Sequence, residues 1–299
     1  MPRASRATLA LVAATVAVSF SASFIRIAHD DAATIVWLRM SMAALLLMPV
    51  AARDPRLFSI LRSRRDALLL PVSGILLAGH FLLWTASLAY TSVAASVLLV
   101  SLHPVIVAPL ARRILHEQAT ARVLAGMTLA LLGTAVTCAG DFRLDARALL
   151  GDLLAIGGAV CLAGYLIIGR GIRRSIGVSA YSAAVYASVA LVAALTAAAS
   201  GAAHMPTARV AAIGLALAVV CTIGGHTVYN WTLRRVHALT VSLAFLGEAP
   251  LAALLAFIVL RDVPPLTTIA GGVLILIGLA LSLPRQQAAT TERVLLALE

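Results

Sequence analysis

The sequence predicts an all-α integral membrane fold. Ten transmembrane helices form two inverted five-helix repeats around a central cavity, with both termini in the cytoplasm. Three observations predict it. The chain is too apolar for water, its arginines crowd alternate breaks in the apolar pattern, and its second half repeats its first.

Of 299 residues, 62% are hydrophobic and 12% charged, against about 25% charged in soluble domains. Mean hydropathy is +1.01. A soluble fold must cover its surface with more polar groups than this chain owns. The composition therefore argues against a soluble enzyme, a disordered chain and a secreted disulfide scaffold. The net charge of +11 comes from arginine alone, with no lysine, and the arginines cluster at the ends of apolar segments. That is a topology signal and implies a lipid bilayer as partner, not nucleic acid. Cys138, Cys161 and Cys221 lie in apolar stretches and form no CxxC pair. They read as small packing residues.

A bilayer core about 30 Å thick takes roughly 20 apolar residues per helix. Polar breaks place the spans at 7–28, 32–52, 67–89, 92–112, 120–140, 149–170, 179–200, 209–232, 238–260 and 265–284. The first has Arg3 and Arg6 ahead of an apolar run that ends in small residues, as a signal peptide does. The run is long for one and nine spans follow, so it reads as a retained helix. With the N-terminus inside, seventeen arginines fall on the cytoplasmic side, five outside, and Arg39 within a span. This positive-inside bias supports the count of ten and points to the inner membrane of a bacterium.

The repeat is visible residue by residue. An offset of 145 aligns His103 with Glu248, Glu117 with Asp262, Gly126 with Gly271 and Gly133 with Gly278. Upstream, an offset of 146 pairs Gly79-His80 with Gly225-His226. The predicted domains are repeat 1 at 7–140, repeat 2 at 149–284 and a cytoplasmic tail at 285–299. Five spans is an odd number, so the second repeat enters the membrane inverted. Such a pair of halves is a transporter architecture, able to alternate access between the two sides.

At these positions the chain resembles the EamA-type transporters of the drug/metabolite transporter superfamily. One copy of the carrying pattern is Pro104, then Glu117, then a glycine-spaced helix ending at Leu131-Leu132-Gly133. The other is Gly247-Glu248-Ala249-Pro250, then Leu260-Arg261-Asp262, then LILIG at 274–278. The stretch GDLLAIGGAVCLAGYLIIGR at 151–170 looks like that family's sixth helix. Three positions depart from the pattern. Ala249 intervenes between Glu248 and Pro250, Asp262 replaces the usual Glu, and Ser19, Phe20, Ser21 and Ser23 stand where the first helix commonly has an aromatic residue. The resemblance implies ten helices around a cavity and export of small metabolites, often amino acids. The aromatic amino-acid exporters are the branch it suggests.

Polar groups at membrane depth are costly and mark cavities or interhelical ties. On the third span, His80 and Trp84 share a face; on the fourth, Ser96, Leu99 and His103 do, with Pro104 a source of a kink. Tyr165 is the polar aromatic of the sixth span. His226 and Asn230 share a face of the eighth, and Phe245 and Glu248 one of the ninth. By the repeat, His80 corresponds to His226 and His103 to Glu248. These ten are the candidate cavity residues. Aromatic and aliphatic walls would take an apolar side chain. Glu248 would meet an α-amino group, and imidazoles or backbone N–H groups freed near Pro104 a carboxylate. Arg39, Pro104, Glu117, Pro250 and Asp262 are candidate gating or structural residues, with Arg39 read as a tie between helices and Glu117 and Asp262 as ion-pair groups at helix ends. Trp231 reads as an interface anchor. The paired glycines read as packing seams.

HExxH, GxSxG, Walker A and metal-spaced Cys/His patterns are all missing from the sequence. No enzyme activity, cofactor or metal is expected. The expectation is a secondary transporter for a small-molecule substrate, as a monomer or homodimer, with protons a candidate coupling ion. The alternatives are a multidrug or other-metabolite exporter and, more distantly, a channel or an intramembrane hydrolase.

Overall fold

The computed structural model describes residues 3–55, 63–87, 89–91, 93–137, 139, 146–173, 175–201, 204–260 and 265–282, and they are helical apart from turns and short connections. Asp262, Cys138 and the tail at 285–299 lie outside the described residues. Among the described residues, eight helical segments are long and apolar enough to cross a membrane. Two shorter apolar helices, Ala121–Thr137 and Leu266–Ser282, stand at the fifth and tenth expected spans. Each has 17 residues, the lower limit for spanning.

Several spans are broken where the sequence suggests one continuous helix. The first is α1 (Arg3–Ser19) and α2 (Ser21–Ala28). The second and third are α3 (Ala32–Ala51) and α4 (Arg64–Ser87). The fourth is α5 (Val93–Val100) and α6 (His103–Leu110), continued by a π turn at Ala111–Leu115. The fifth, sixth and seventh are α7 (Ala121–Thr137), α8 (Ala146–Ile172) and α9 (Val178–Ala199). The eighth starts as α10 (Ala208–Ala216), widens into a π-helix at Leu217–Thr227 and ends as α11 (Val228–Thr232). The ninth is α12 (Ala238–Phe245) and α13 (Glu248–Leu260), and the tenth is α14 (Leu266–Ser282).

Local chemistry sets these ends. The Asp31 carboxylate accepts the Ala33 N–H at 2.8 Å and caps α3, and Thr207 caps α10 through the Val210 N–H. His29 ends α2, and His116 ends the π turn, each in the left-handed conformation, with φ of 52° and 56°.

The breaks in the fourth and ninth spans are equivalent. One lies between Val100 and His103, the other between Phe245 and Glu248, 145 residues on. Contacts between spans obey the same symmetry: first with eighth, third with sixth, second with seventh, fourth with ninth, fifth with tenth. Equivalent helices α7 and α14 run antiparallel. A Cβ on Gly126 would stand 2.5 Å from Gly278 O, and one on Gly133 would stand 2.6 Å from Gly271 O. These glycines form a seam within the chain where no side chain fits. Large apolar residues such as Leu45, Leu68, Leu191 and Leu195 point outward, as a lipid-facing surface requires.

Candidate functional site

A cavity of about 100 Å³ sits where the broken spans meet. Its wall combines Ser21 of the first span, His80, Phe81 and Trp84 of the third, His103 of the fourth, Leu162 of the sixth, His226 of the eighth, and Phe245 and Glu248 of the ninth. Sites for small ligands usually measure about 300–1,000 Å³. The central cavity is smaller than that.

The wall is aromatic. Phe81 stands between two histidines, 5.1 Å from the His80 ring and 5.2 Å from the His226 ring. His80 stacks with Trp84 in nearly parallel planes. Phe245 meets the His103 ring edge-on at 5.8 Å and stacks on Tyr229 at 4.1 Å. Tyr229 is held from behind by the hydroxyl of Thr15 at 2.8 Å.

One buried cation underlies the wall. Arg39 donates from Nε to Thr222 Oγ1 at 2.6 Å and from Nη1 to Ser21 Oγ at 3.0 Å. Its guanidinium lies 4.8 Å from the Phe81 centroid, within cation–π range. It ties the second span to the first and eighth. It forms no ion pair with Glu248 among the described residues.

Four buried polar atoms have no hydrogen-bond partner among the described residues: Arg39 Nη2, Trp84 Nε1, His226 Nδ1 and Ser242 Oγ. Buried polar groups are normally satisfied, so each such atom calls for an explanation. Trp84 and His226 line the cavity, Arg39 backs Phe81, and Ser242 offers its carbonyl to His103 Nε2 at 3.2 Å.

Six of the ten candidate cavity residues thus come together: His80, Trp84, His103, His226, Phe245 and Glu248. The other four lie off the wall. The Tyr165 hydroxyl donates to Asn230 Oδ1 at 2.5 Å, and Asn230 donates on to Ser182. Ser96 bonds Ser87 at 2.6 Å, and Leu99 is half-buried away from the wall. Pro104 is buried directly after His103, and Pro250 lies in the first turn of α13. Phe81, Ser21 and Thr222 escaped the sequence reading because a phenylalanine or a hydroxyl in an apolar helix carries no signal by itself. The equivalence of Arg39's surroundings to a polar tie could have directed attention to them.

One end of the bundle is closed by a polar latch. Arg170 Nε meets Glu117 Oε1 at 2.6 Å, and the Ala238 N–H donates to Glu117 Oε2 at 2.8 Å. Arg170 also donates to the Leu233 carbonyl. The carboxylate at the N-terminus of α12 joins the fourth, sixth and ninth spans and suits the helix dipole. Trp231, expected as an anchor, is half-buried beneath the Arg235 guanidinium at 3.5 Å.

Ten apolar helices in two symmetric repeats, packed around a polar-edged cavity, define a multi-pass membrane protein of transporter architecture. The profile of the EamA-like transporter family matches residues 5–139 and 149–283. The chain belongs to that family, and the two matched stretches are its two repeats. No curated protein shows a significant match. A solved crystal structure superposes with a TM-score of 0.78 at 20% identity, covering 93% of this chain and 96% of the other. That likeness shows the fold.

Proposed function

We propose that this protein is a secondary transporter that exports small metabolites, in the first place aromatic and other neutral amino acids, by alternating access of its two inverted repeats. One observation carries the reading. A cavity lies at the equivalent breaks of the fourth and ninth spans, edged by buried polar atoms that have no hydrogen-bond partner among the described residues. Breaks of this kind expose backbone groups and polar side chains at membrane depth, where a substrate can satisfy them.

In this reading the aromatic wall takes the substrate's side chain and Glu248 its ammonium group. His80, His226, Trp84 and the polar edge take its carboxylate. Tyr165, Asn230, Ser96 and Leu99 stand behind the wall and hold its helices. Glu117 with Arg170 closes the cytoplasmic end, and Asp262 is the sequence equivalent of Glu117 for the opposite end. Pro104 and Pro250 keep the two breaks open by denying helical hydrogen bonds. The repeats extend over 7–140 and 149–284, with both termini in the cytoplasm and the chain in a bacterial inner membrane. The test is counterflow in proteoliposomes with labelled aromatic, aliphatic and charged amino acids and a cationic dye. Saturable, competed movement of neutral amino acids is expected. Movement of the dye alone would assign the protein to multidrug export, and movement of none would overturn the reading.

A further inference from the structure

Two cavities adjoin at the end of the bundle that carries the Glu117 latch. The larger, of about 480 Å³, is lined by Glu117, Thr120, Arg122, His237, Thr240 and Ser282, where the fourth, fifth, ninth and tenth spans come together. The other, of about 230 Å³, is a groove between the first, ninth and tenth spans, walled by Leu11, Val12, Leu243, Leu251, Leu276 and Leu279. Thr240 and Ser282 line both, so the polar mouth continues into the apolar groove. The groove opens sideways, toward lipid: Val12 is 54% and Leu276 52% exposed. From Thr240 to Leu251 the ninth span advances eleven residues, about 16 Å at 1.5 Å per residue. That is about the depth of one leaflet, half of a core roughly 30 Å thick. Charge at the mouth is unbalanced. Glu117 is already paired with Arg170 and the Ala238 N–H. Arg122 is half-buried and forms no ion pair among the described residues. Arg112 and Arg113 are exposed directly after the lining residue Ala111, and Arg234 is exposed shortly before His237.

We propose that this pair of cavities is a binding site for one anionic phospholipid of the adjoining leaflet. The phosphate lies against Arg122 and His237, the ester groups pass Thr240 and Ser282, and one acyl chain fills the groove. Arg122 offers the phosphate a charged fork of N–H groups, and His237 supplies an N–H in either charge state. Basic pockets between spans, set at the level of the headgroups, are where anionic lipids are held. The leucine walls gain by covering the chain, and the chain needs no polar partner. A soluble phosphate would use the mouth alone and leave the groove empty. A zwitterionic lipid would fill the groove and bring no net charge to the mouth. The bound lipid touches both repeats beside the latch and holds the fifth and tenth spans to the first turn of α12. The site requires only that the helices span a bilayer; it does not rest on the function proposed above.

The test is native mass spectrometry of the full chain in a non-ionic detergent, titrated with phosphatidylglycerol or with phosphatidylcholine of the same acyl chains. Retention of one phosphatidylglycerol per chain is expected, at concentrations where phosphatidylcholine is not retained. Arg122→Gln should weaken phosphatidylglycerol about fivefold, since one basic residue near a headgroup contributes about 1 kcal/mol. Arg53→Gln, an exposed arginine that lines neither cavity, is the control and should change nothing. Ala280→Phe places a ring in the groove at an exposed position. It should weaken phosphatidylglycerol with the basic mouth intact. Equal retention of the two lipids, or a phosphatidylglycerol affinity that ignores Arg122→Gln, overturns the proposal. An affinity that ignores Ala280→Phe removes the acyl chain from the groove and overturns it as well. Displacement of the lipid by an equal concentration of soluble glycerol phosphate would assign the mouth to a soluble anion instead.

Discussion

Glu117 and Arg170, 53 residues apart, meet at 2.6 Å with side chains only 8% and 11% exposed, and the carboxylate is shared with the first N–H of α12. One side chain therefore holds three spans at one end of the bundle. Removing one partner of a buried pair leaves the other charge stranded, at a cost of about 3–5 kcal/mol. Arg170→Ala should lower the melting temperature in detergent substantially. Adding Glu117→Gln should then cost less than the sum of the two single changes, because both report on one interaction. Full additivity would show that the pair does not act as a unit.

The seam between α7 and α14 makes a second prediction. Gly278→Ala would bring a Cβ to 2.5 Å from Gly126 O, and backbone cannot yield as a side chain can. Overpacking of this kind costs about 1–3 kcal/mol. Gly171→Ala, where a Cβ meets nothing within 4 Å, is the control and should leave the melting temperature unchanged or raise it slightly. Equal melting temperatures for the two variants would contradict the seam.

Glu248 sits on the cavity wall. A hydrogen bond to a charged group contributes about 1.5–3 kcal/mol. Glu248→Gln should therefore weaken transport of amino acids by roughly ten- to a hundredfold, mainly through KM. A substrate analogue that lacks the amino group should be less affected. A uniform loss for both would place Glu248 outside the recognition of that group.

Tyr229 supports Phe245 from behind, and its hydroxyl is shared with Thr15. Tyr229→Phe keeps the stacking and removes a hydrogen bond worth about 0.5–1.5 kcal/mol. A small fall in melting temperature is expected, larger in Thr15→Val because that hydroxyl also reaches Leu11 O and Ala244 O, with the double variant no worse than Thr15→Val alone. A loss in the double variant equal to the sum of the two single losses would uncouple the two residues.

Outside the membrane spans, His204 donates to Met205 O at 3.3 Å and to Asp30 Oδ1 at 2.8 Å. The Met205 carbonyl first, and then Asp30, raise its pKa above the ordinary value of 6.5. The folded value is the higher one, so the contribution to stability is complete below pH 6.5 and fades as the pH climbs through the raised value. Titration of the His204 ring by NMR should show the upward shift, and Asp30→Asn should reduce it. An unchanged titration in Asp30→Asn would show that the aspartate plays no part.

Much of the architecture is legible in the sequence because it depends on local properties. Span count follows from apolar length, and the repeat follows from residue identities such as His103 against Glu248. The helix breaks fall on that same offset. Pro104 signals one break directly, since it lacks an N–H. The second break, at Leu246-Gly247, has its proline four residues beyond Leu246 and was not apparent.

The ten spans, the two repeats and the polar residues at membrane depth were determined by the sequence alone, through hydropathy, arginine distribution and self-similarity. Only the tertiary structure decided which of those residues meet. Tyr165 and Asn230 carry the same signal as His80 and His226, yet they satisfy each other and leave the wall to the histidines. The rotation of each helix settles that choice. It is set by packing between spans far apart in the chain, such as the glycine seam of α7 with α14. Helical periodicity gives the spacing of a face but not the neighbour it will find.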